Sequence, residues 1–425
     1  MSALICRQPI KSIYWLLELP VTAFVLAPLW ALLSISPSWR PRQAWTIKRV
    51  IWVNLIRRLW AAELRAGPFV KEPDHLSITT NRGIRGALSK ALQLIVTGSL
   101  ESGHDTYGVW VPATQHLVTG ELKAWAEVAG VSSIRIPGYW THKIGVSLQL
   151  AAAPQEGEKV VYHLHGGSYI LQSANPLDPT AAIGKGLLKY SEEILRVFSI
   201  EYRRSSHKPF EITSPFPAAL LDALAGYSYL ISTVGFSPSD IVLVGDSAGG
   251  NLALALIRYL IEHQESPDVQ LPGHPGHLVL LSPWGDMSKS HETPSSSTAR
   301  NWKSDYIRLA DYARTAFLGP HKQAEYLETN RYISPASLQA SQASFKKFPR
   351  TFIVAGGAEI MYDQIVTLKD RMIKDLGEDD GIAGEGKVRF YDAPDAVHDY
   401  LVFHWHEPER MQTLKAISEW LTLVD

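Results

Sequence analysis

A serine flanked by glycines stands where a predicted strand meets a predicted helix. The pentapeptide Gly-Asp-Ser-Ala-Gly at 245–249 follows the apolar run Ile241–Val244 and precedes the helical sequence Gly250–Leu256. A Gly-x-Ser-x-Gly turn in this context bends the backbone sharply and leaves the serine hydroxyl exposed above the end of the sheet. Ser247 is therefore the candidate nucleophile of an acyl-transfer reaction.

A second motif predicts the group that would stabilise the reaction's negative charge. His165, Gly166, Gly167 and Ser168 directly follow the predicted strand Lys159–Leu164. Acyl transfer places charge on the substrate carbonyl oxygen, and main-chain N–H groups beside glycines can approach that oxygen closely. We predict Gly166 and Gly167 as donors, together with Ala248, which follows the nucleophile. His165 and Ser168 would support this loop. The alternative interpretation is a tight turn that needs two glycines.

The base and the acid must follow the nucleophile along the chain. His398 lies in the loop after the last predicted strand, Lys387–Tyr391, and is the candidate general base. Two carboxylates, Glu359 and Asp363, follow the predicted strand Thr351–Ala355. Glu359 lies nearer to the strand end and is predicted to orient His398, while Asp363 is the alternative acid.

The elements that must position these residues alternate between strands and helices from about residue 132 onward. The pattern predicts strands at Ser133–Ile136, Val146–Ala151, Leu195–Ile200 and Leu278–Leu281, besides those named above. Such alternation indicates a mostly parallel sheet with helices on both faces, whose site lies at the carboxyl ends of the strands. The alternation stops between 284 and 335, where a Ser-rich loop and a helical stretch, Asp305–Leu318, predict a helical cap. We expect an anchor at 1–40, a helical amino-terminal or cap region at 41–130 and a catalytic domain at 131–425.

The amino-terminal region carries an apolar stretch, Ile13–Ile35, with Glu18 as its one charge. Its length suits a helix that crosses a bilayer, so a single-pass membrane anchor is expected; a cleaved signal peptide and a buried helix are the alternatives. The next stretch, Ala44–Leu64, is a Trp-rich basic helix candidate. It could lie at the membrane interface or pack on protein, because its charges surround the whole helix.

Composition excludes several other classes of function. The formal net charge of the 425 residues is −1, which gives no global attraction to nucleic acid. Cys6 is the single cysteine, so the chain has no internal disulfide framework. Histidine pairs at 163/165 and 404/406 have spacings that could hold zinc, but a third ligand is not found at motif distance. We therefore predict neither a metal nor a cofactor.

These motifs together resemble the hormone-sensitive-lipase-like family of α/β-hydrolases, from about residue 155 to the end. The matching stretches are the oxyanion loop at 162–169, Glu-Tyr-Arg at 201–203, the run 215–222, the elbow at 245–251, Leu-Ser-Pro-Trp at 281–284 and the pair His398–Asp399. Two positions depart from the family pattern. Ser168 replaces a third glycine, and Glu359 replaces the usual first aspartate, with Asp363 at the second acid. The resemblance implies the α/β-hydrolase fold and the triad roles given above.

The predicted activity is hydrolysis of carboxylic esters through an acyl-enzyme. An anchored amino terminus on this domain looks like the fungal sterol-acetate deacetylases, which implies a short acyl group on a hydrophobic alcohol and a place in the membrane of the endoplasmic reticulum. One rival is a ligand-binding receptor that has lost catalysis on the same fold. The others are an amidase, a lactonase and an acyltransferase, since the same triad serves each. The sequence does not specify the oligomeric state.

Overall fold

The sheet explains how distant segments of the chain reach one site. A computed structural model describes residues 5–67, 77–78, 83–100, 102–308, 311–321, 324–340, 343–380 and 386–422. Within these residues eight strands form one sheet in the order β1-β2-β4-β3-β5-β6-β7-β8. The strands are β1 Thr106–Val111, β2 Ile136–His142, β3 Lys159–Leu164, β4 Ile194–Ile200, β5 Ile241–Asp246, β6 His277–Leu281, β7 Arg350–Gly356 and β8 Val388–Ala393.

The six strands β4, β3, β5, β6, β7 and β8, which are neighbours in this order, run parallel. Strand β2 pairs antiparallel with both β1 and β4. The central strands carry apolar runs without polar alternation, as Ile241–Val244 illustrates, because a parallel strand is buried on both faces. This confirms the predicted α/β-hydrolase architecture. Strand β1 lies before residue 131, so the sheet also draws on the region predicted as amino-terminal.

Helices cover both faces of the sheet. Helix α6 packs with α13, α7 packs with α8, and α12 packs on β7 and β8. The α-helices of the described residues are α1 Ile10–Pro20, α2 Ala27–Leu32, α3 Ile47–Ala66, α4 Gly83–Thr97, α5 Gly120–Ala129, α6 Ala181–Tyr190, α7 Ala218–Tyr229, α8 Ala248–Glu262, α9 Ser297–Arg300, α10 Asp311–Leu318, α11 Ala324–Thr329, α12 Tyr362–Leu376 and α13 Glu409–Thr422. Helices α9 to α11 lie in the segment predicted as a cap.

Three predicted elements differ from the structure. The segment 146–151 forms no strand, and the strand predicted at Ser133–Ile136 begins instead at Ile136 and runs to His142. Strand β2 is bonded along its length to β1 on one side and to β4 on the other, so the segment that follows finds no free edge beside it. The helical stretch predicted from Asp305 is a helix from Asp311 onward.

The amino-terminal helix, Ile10–Leu32, comprises α1, a π-turn at Val21–Leu26 and α2. It has 23 residues and a mean hydropathy of 1.7, long and apolar enough to cross a membrane, although core helices and signal sequences share these properties. Its inner edge contacts α3, where Glu18 forms an ion pair with Arg58. Its outer edge is exposed and apolar, with Leu16 73%, Leu17 64% and Phe24 81% accessible.

Candidate active site

The turn after β5 holds Ser247 in a conformation that few residues adopt. Its φ is 50° and its ψ is −115°, between strand β5 and helix α8. The turn is so tight that a Cβ on Gly249 would lie 1.9 Å from the carbonyl oxygen of Leu164. Only glycine fits there, which is the physical content of the Gly-x-Ser-x-Gly pattern. The predicted elbow is therefore present.

The structure brings the predicted base and acid to this serine. The Nε2 atom of His398 lies 2.9 Å from the Oγ of Ser247. On the other side of the ring, Nδ1 lies 2.8 Å from Oε2 of Glu359. All three side chains are buried. They follow β5, β8 and β7, whose carboxyl ends lie at one edge because these strands are parallel.

Glu359 and Asp363 occupy different environments. The Oε1 atom of Glu359 accepts hydrogen bonds from the main-chain N–H of Gly356 at 2.6 Å and from the Oγ of Ser282 at 3.1 Å. Its second oxygen is thereby aimed at His398. Asp363 instead accepts from the main-chain N–H of Ser297, at 2.7 Å, and from Arg300. It holds the amino-terminal end of α9 and makes no bond to His398. The geometry favours Glu359 over the alternative acid.

The acid loop and the base loop are packed against each other. The N–H of Ala358 donates to the carbonyl of Ala396 at 2.9 Å, and the N–H of Gly357 donates to that of Ala393 at 2.8 Å. A Cβ on Gly357 would lie 2.3 Å from the carbonyl oxygen of Pro394. The glycine therefore allows the close approach that brings the glutamate to the histidine.

The oxyanion loop requires a correction of one predicted donor. The N–H of Gly166 is already donated to Oδ2 of Asp246, at 2.8 Å, so it is not available to a substrate. Gly167 and Ser168 line the cavity above Ser247. Within the described residues, their N–H groups and that of Ala248 have no acceptor. Among the described residues, the main-chain N–H of Ser168, a residue predicted as support, is thus left without an acceptor, whereas that of Gly166 is not.

The remaining residues of this loop hold its shape. His165 stacks on Tyr202, with ring centroids 4.2 Å apart, and the Tyr202 hydroxyl donates to the carbonyl of His165 at 2.7 Å. His163 contacts Oδ1 of Asp246 at 2.8 Å. His165 thus contacts Tyr202 through its ring and its carbonyl, and its supporting role stays a prediction. His163 serves as a partner of the aspartate that fixes Gly166.

Asp305, in the cap segment, was not predicted as a site residue. Its carboxylate accepts from the main-chain N–H of Ile360 at 2.8 Å and from that of His398 at 3.4 Å, so it joins the acid loop to the base loop. Burial raises the pKa of Asp305 to about 6. Its carbonyl oxygen in turn accepts from Arg57 of α3 at 3.0 Å. No local pattern marks this residue, because its role depends on contacts between distant segments.

The cavity above Ser247 is walled partly by helices that precede the sheet. Its empty volume is about 1130 Å³, counted out to its open mouth. Ser247 and His398 lie at its base, and α3 and α4 contribute apolar side chains. Those of α3 and α4 include Ile56, Leu59, Trp60, Leu92 and Val96. The basic helix whose position the sequence left open therefore packs on protein, over the candidate site.

Comparison with known proteins agrees with this geometry. A family profile described as alpha/beta hydrolase fold matches residues 161–401, more than half of the chain. The chain belongs to this family. The resemblance to its hormone-sensitive-lipase-like group is confirmed as well.

Three relatives illustrate the likeness. An acetyl-hydrolase of Streptomyces hygroscopicus is 30% identical over 269 residues, which are 63% of this chain and 75% of that protein. Steryl acetyl hydrolase 1 of Saccharomyces cerevisiae is 26% identical over 136 residues, 32% of this chain and 28% of that protein. An esterase structure from the bacterial hormone-sensitive lipase family superposes with a TM-score of 0.55 at 22% identity, covering 89% of this chain and 98% of that one. At this identity the structural likeness supports the fold alone.

Proposed function

We propose that this protein is a serine esterase that removes a short acyl group, acetyl foremost, from a hydrophobic alcohol. The observation that carries the proposal is the position of His398 between the Oγ of Ser247, at 2.9 Å, and Glu359, at 2.8 Å. The names of the acetyl-hydrolase and the steryl acetyl hydrolase support the acetyl group. The apolar cavity walls from α3 and α4 support a hydrophobic alcohol.

The proposed reaction proceeds in two halves. Ser247 attacks the carbonyl carbon of the ester, and its proton passes to Nε2 of His398. Glu359 holds the resulting imidazolium through Nδ1. The negative oxygen accepts hydrogen bonds from the main-chain N–H groups of Gly167, Ser168 and Ala248. His398 then gives its proton to the departing alcohol, and water releases the acyl group by the same route. The proposed chemistry needs no metal or cofactor.

The substrate class is tested with a series of p-nitrophenyl esters and one amide. We expect kcat/KM to be highest for the acetate and to fall as the acyl chain grows from butyrate to octanoate, because the Ser168 side chain, in place of the third glycine of the family pattern, narrows the cavity on the acyl side. The glycine variant Ser168→Gly should raise the octanoate-to-acetate ratio of kcat/KM. An unchanged ratio would contradict this role of Ser168, and a preference of the wild type for octanoate or for the amide would contradict the acetyl-esterase proposal.

The rivals give other results. A receptor would bind an ester without turnover, a lactonase would prefer cyclic esters, and an acyltransferase would need an added alcohol acceptor for full rate.

The amino-terminal helix supports membrane association. We propose the division into an anchor at 1–40, a region at 41–130 that walls the cavity, and a catalytic domain at 131–425. We further propose a single-pass anchor in the endoplasmic reticulum, by analogy with anchored deacetylases. Fluorescence imaging of the tagged full chain against markers of that membrane tests the compartment.

Membrane association is tested on the outer edge of the helix. The triple variant Leu16→Ser, Leu17→Ser, Phe24→Ser should move the full chain from the carbonate-resistant membrane fraction to the supernatant. These side chains are exposed, so their loss costs the fold little, but it removes on the order of 5 kcal/mol of apolar contact with lipid.

The matched control replaces three exposed apolar residues of the catalytic domain, Ile144, Leu150 and Leu338, by serine. A wild-type chain found in the supernatant would contradict membrane association. A chain whose mature amino terminus begins beyond the helix would show a cleaved signal peptide instead.

A further inference from the structure

Asp399 contacts the nitrogen of His398 that the proposed reaction uses. Its Oδ2 lies 3.1 Å from Nε2, on the same atom that receives the Ser247 hydroxyl. The residue is 7% exposed, and its Oδ1 has no hydrogen-bond donor among the described residues. The proposed mechanism assigns this buried carboxyl no task.

The backbone fixes the carboxyl in place. Asp399 has φ 47° and ψ 37°, a left-handed conformation that aspartate and asparagine adopt more readily than most residues. Its N–H donates to the Oγ of Ser282 at 3.1 Å, and the same hydroxyl donates to Glu359. Ser282 thus links the Asp399 backbone to the Glu359 carboxylate on the other side of the imidazole.

An unprotonated Nε2 and an ionised carboxylate are both hydrogen-bond acceptors, so they cannot form a hydrogen bond with each other. If His398 is neutral and Asp399 is ionised, their lone pairs oppose each other at 3.1 Å in a buried site. The contact is favourable when a proton lies between the two groups. A carboxylate with an undonated buried oxygen is also costly unless a positive charge lies next to it. The geometry therefore places a proton between Nε2 and Oδ2, and the raised pKa of His398 puts that proton on the imidazole.

We propose that Asp399 is a positioning residue that sets the protonation state of His398 and, with it, the pH range of the reaction. The proposal rests on the esterase function and adds to it. Below the pKa of His398, Nε2 carries a proton, and His398 cannot act as a base. As the pH rises that proton leaves to solvent, and Nε2 can take the proton of Ser247. The imidazolium formed by that transfer then lies beside the Asp399 carboxylate, which stabilises it.

Four further titratable groups lie near His398 and Asp399. Glu359 faces Nδ1, Asp305 faces the His398 backbone, Asp246 lies beyond Ser247, and the Tyr306 ring lies 6.2 Å from the imidazole. Burial would lower the pKa of His398, but the charge of Asp399 and its hydrogen bond, together with Glu359, raise that pKa well above its ordinary value. Burial raises the pKa of Asp399 to about 7.

The sign of the expected effect follows from these contacts. A base works only when unprotonated, so a raised pKa of His398 places the acid limb of kcat/KM at higher pH. Removing the negative charge should lower the pKa of His398 by about 1–2 units, the size typical of one opposite charge at this distance. The acid limb should move down by the same amount.

The test is the pH profile of Asp399→Asn in the full chain. Asparagine keeps the shape and tolerates the left-handed backbone, so the variant should fold. We expect the acid limb of kcat/KM to fall by about 1–2 pH units, and the plateau at alkaline pH to drop because the imidazolium is less stabilised. The pH dependence of inactivation by phenylmethanesulfonyl fluoride, which also requires a deprotonated base, should shift in parallel.

The matched control is Asp395→Asn, which changes an aspartate of the same loop that has no bond to His398. Its profile should follow that of the wild type. Two results would overturn the proposal. In the first, the acid limb of Asp399→Asn has its midpoint within roughly 0.3 pH unit, the fitting error, of that of the wild type. In the second, activity falls equally at every pH and the acid limb does not move. Failure of the esterase function is distinguishable, since the wild type itself would then show no turnover that depends on Ser247.

Discussion

The variant Ser247→Ala should lose ester hydrolysis by about six orders of magnitude in kcat, the scale seen when the nucleophile of a serine triad is removed. Among the described residues, this is the one hydroxyl within hydrogen-bond distance of His398. Without it the acyl-enzyme cannot form, and only the oxyanion donors and binding remain to assist water. The measurement is kcat for p-nitrophenyl acetate, together with labelling by a fluorophosphonate probe.

The control for this variant is Ser239→Ala, which removes an exposed hydroxyl that contacts Ser237 just before β5. It should keep full turnover and labelling. Ser247→Ala should unfold at the wild-type temperature, because a small hydroxyl at the wall of an open cavity contributes little to stability. Equal activity of Ser247→Ala and wild type would refute the proposed mechanism and favour the receptor interpretation.

The three triad candidates could be predicted because each carries a local signal. Ser247 lies in a turn that only a few residue types can form, and His398 and Glu359 each lie in the loop after a predicted strand. In a parallel sheet, position after a strand is enough to bring distant residues to one edge. The acid must lie between the nucleophile and the base along the chain. The stretch after the predicted strand Thr351–Ala355 offers two carboxylates for this role, and Glu359 lies nearer to the strand end.

The oxyanion donors could not be assigned fully from the motif. A His-Gly-Gly-Ser sequence shows that the backbone approaches the substrate, but it does not show which N–H points into the cavity. That choice is made by Asp246, which accepts the N–H of Gly166 and leaves Gly167 and Ser168 at the cavity wall. This contact joins residues 80 positions apart. A single sequence carries no sign of it.

The positions of α3 and Asp305 at the site could not be predicted from the sequence, because they too depend on contacts between distant segments. The charges of α3 surround the whole helix, so its pattern predicts no buried face. In the structure three of its arginines have separate partners: Arg49 binds Glu409, Arg57 binds the Asp305 carbonyl and Arg58 binds Glu18. Helices of this kind are stabilised by specific tertiary contacts, which periodicity cannot reveal.

Glu359→Gln should lower kcat by about four orders of magnitude, the loss seen when the acid of a triad becomes an amide. A glutamine can present its NH₂ group to Nδ1, which favours the wrong tautomer of His398 and removes the charge that stabilises the imidazolium. Asp363→Asn should lower kcat by less than about tenfold, because Asp363 is bonded to Ser297 and Arg300 rather than to His398.

The pair of variants separates an orienting acid from a structural one. For Glu359→Gln, KM should stay near the wild-type value while kcat falls, since the lost interaction strengthens only as charge develops on the imidazole. For Asp363→Asn, the melting temperature should fall more than kcat does, because the end of α9 loses its charge-assisted hydrogen bonds. Losses of similar size in kcat for the two variants would show that the acid had been assigned wrongly.

The aspartate variant Glu359→Asp tests whether the distance between the carboxylate and Nδ1 matters. Aspartate is one methylene shorter, so it keeps the charge but withdraws it from Nδ1. Its kcat should lie between those of the wild type and Glu359→Gln.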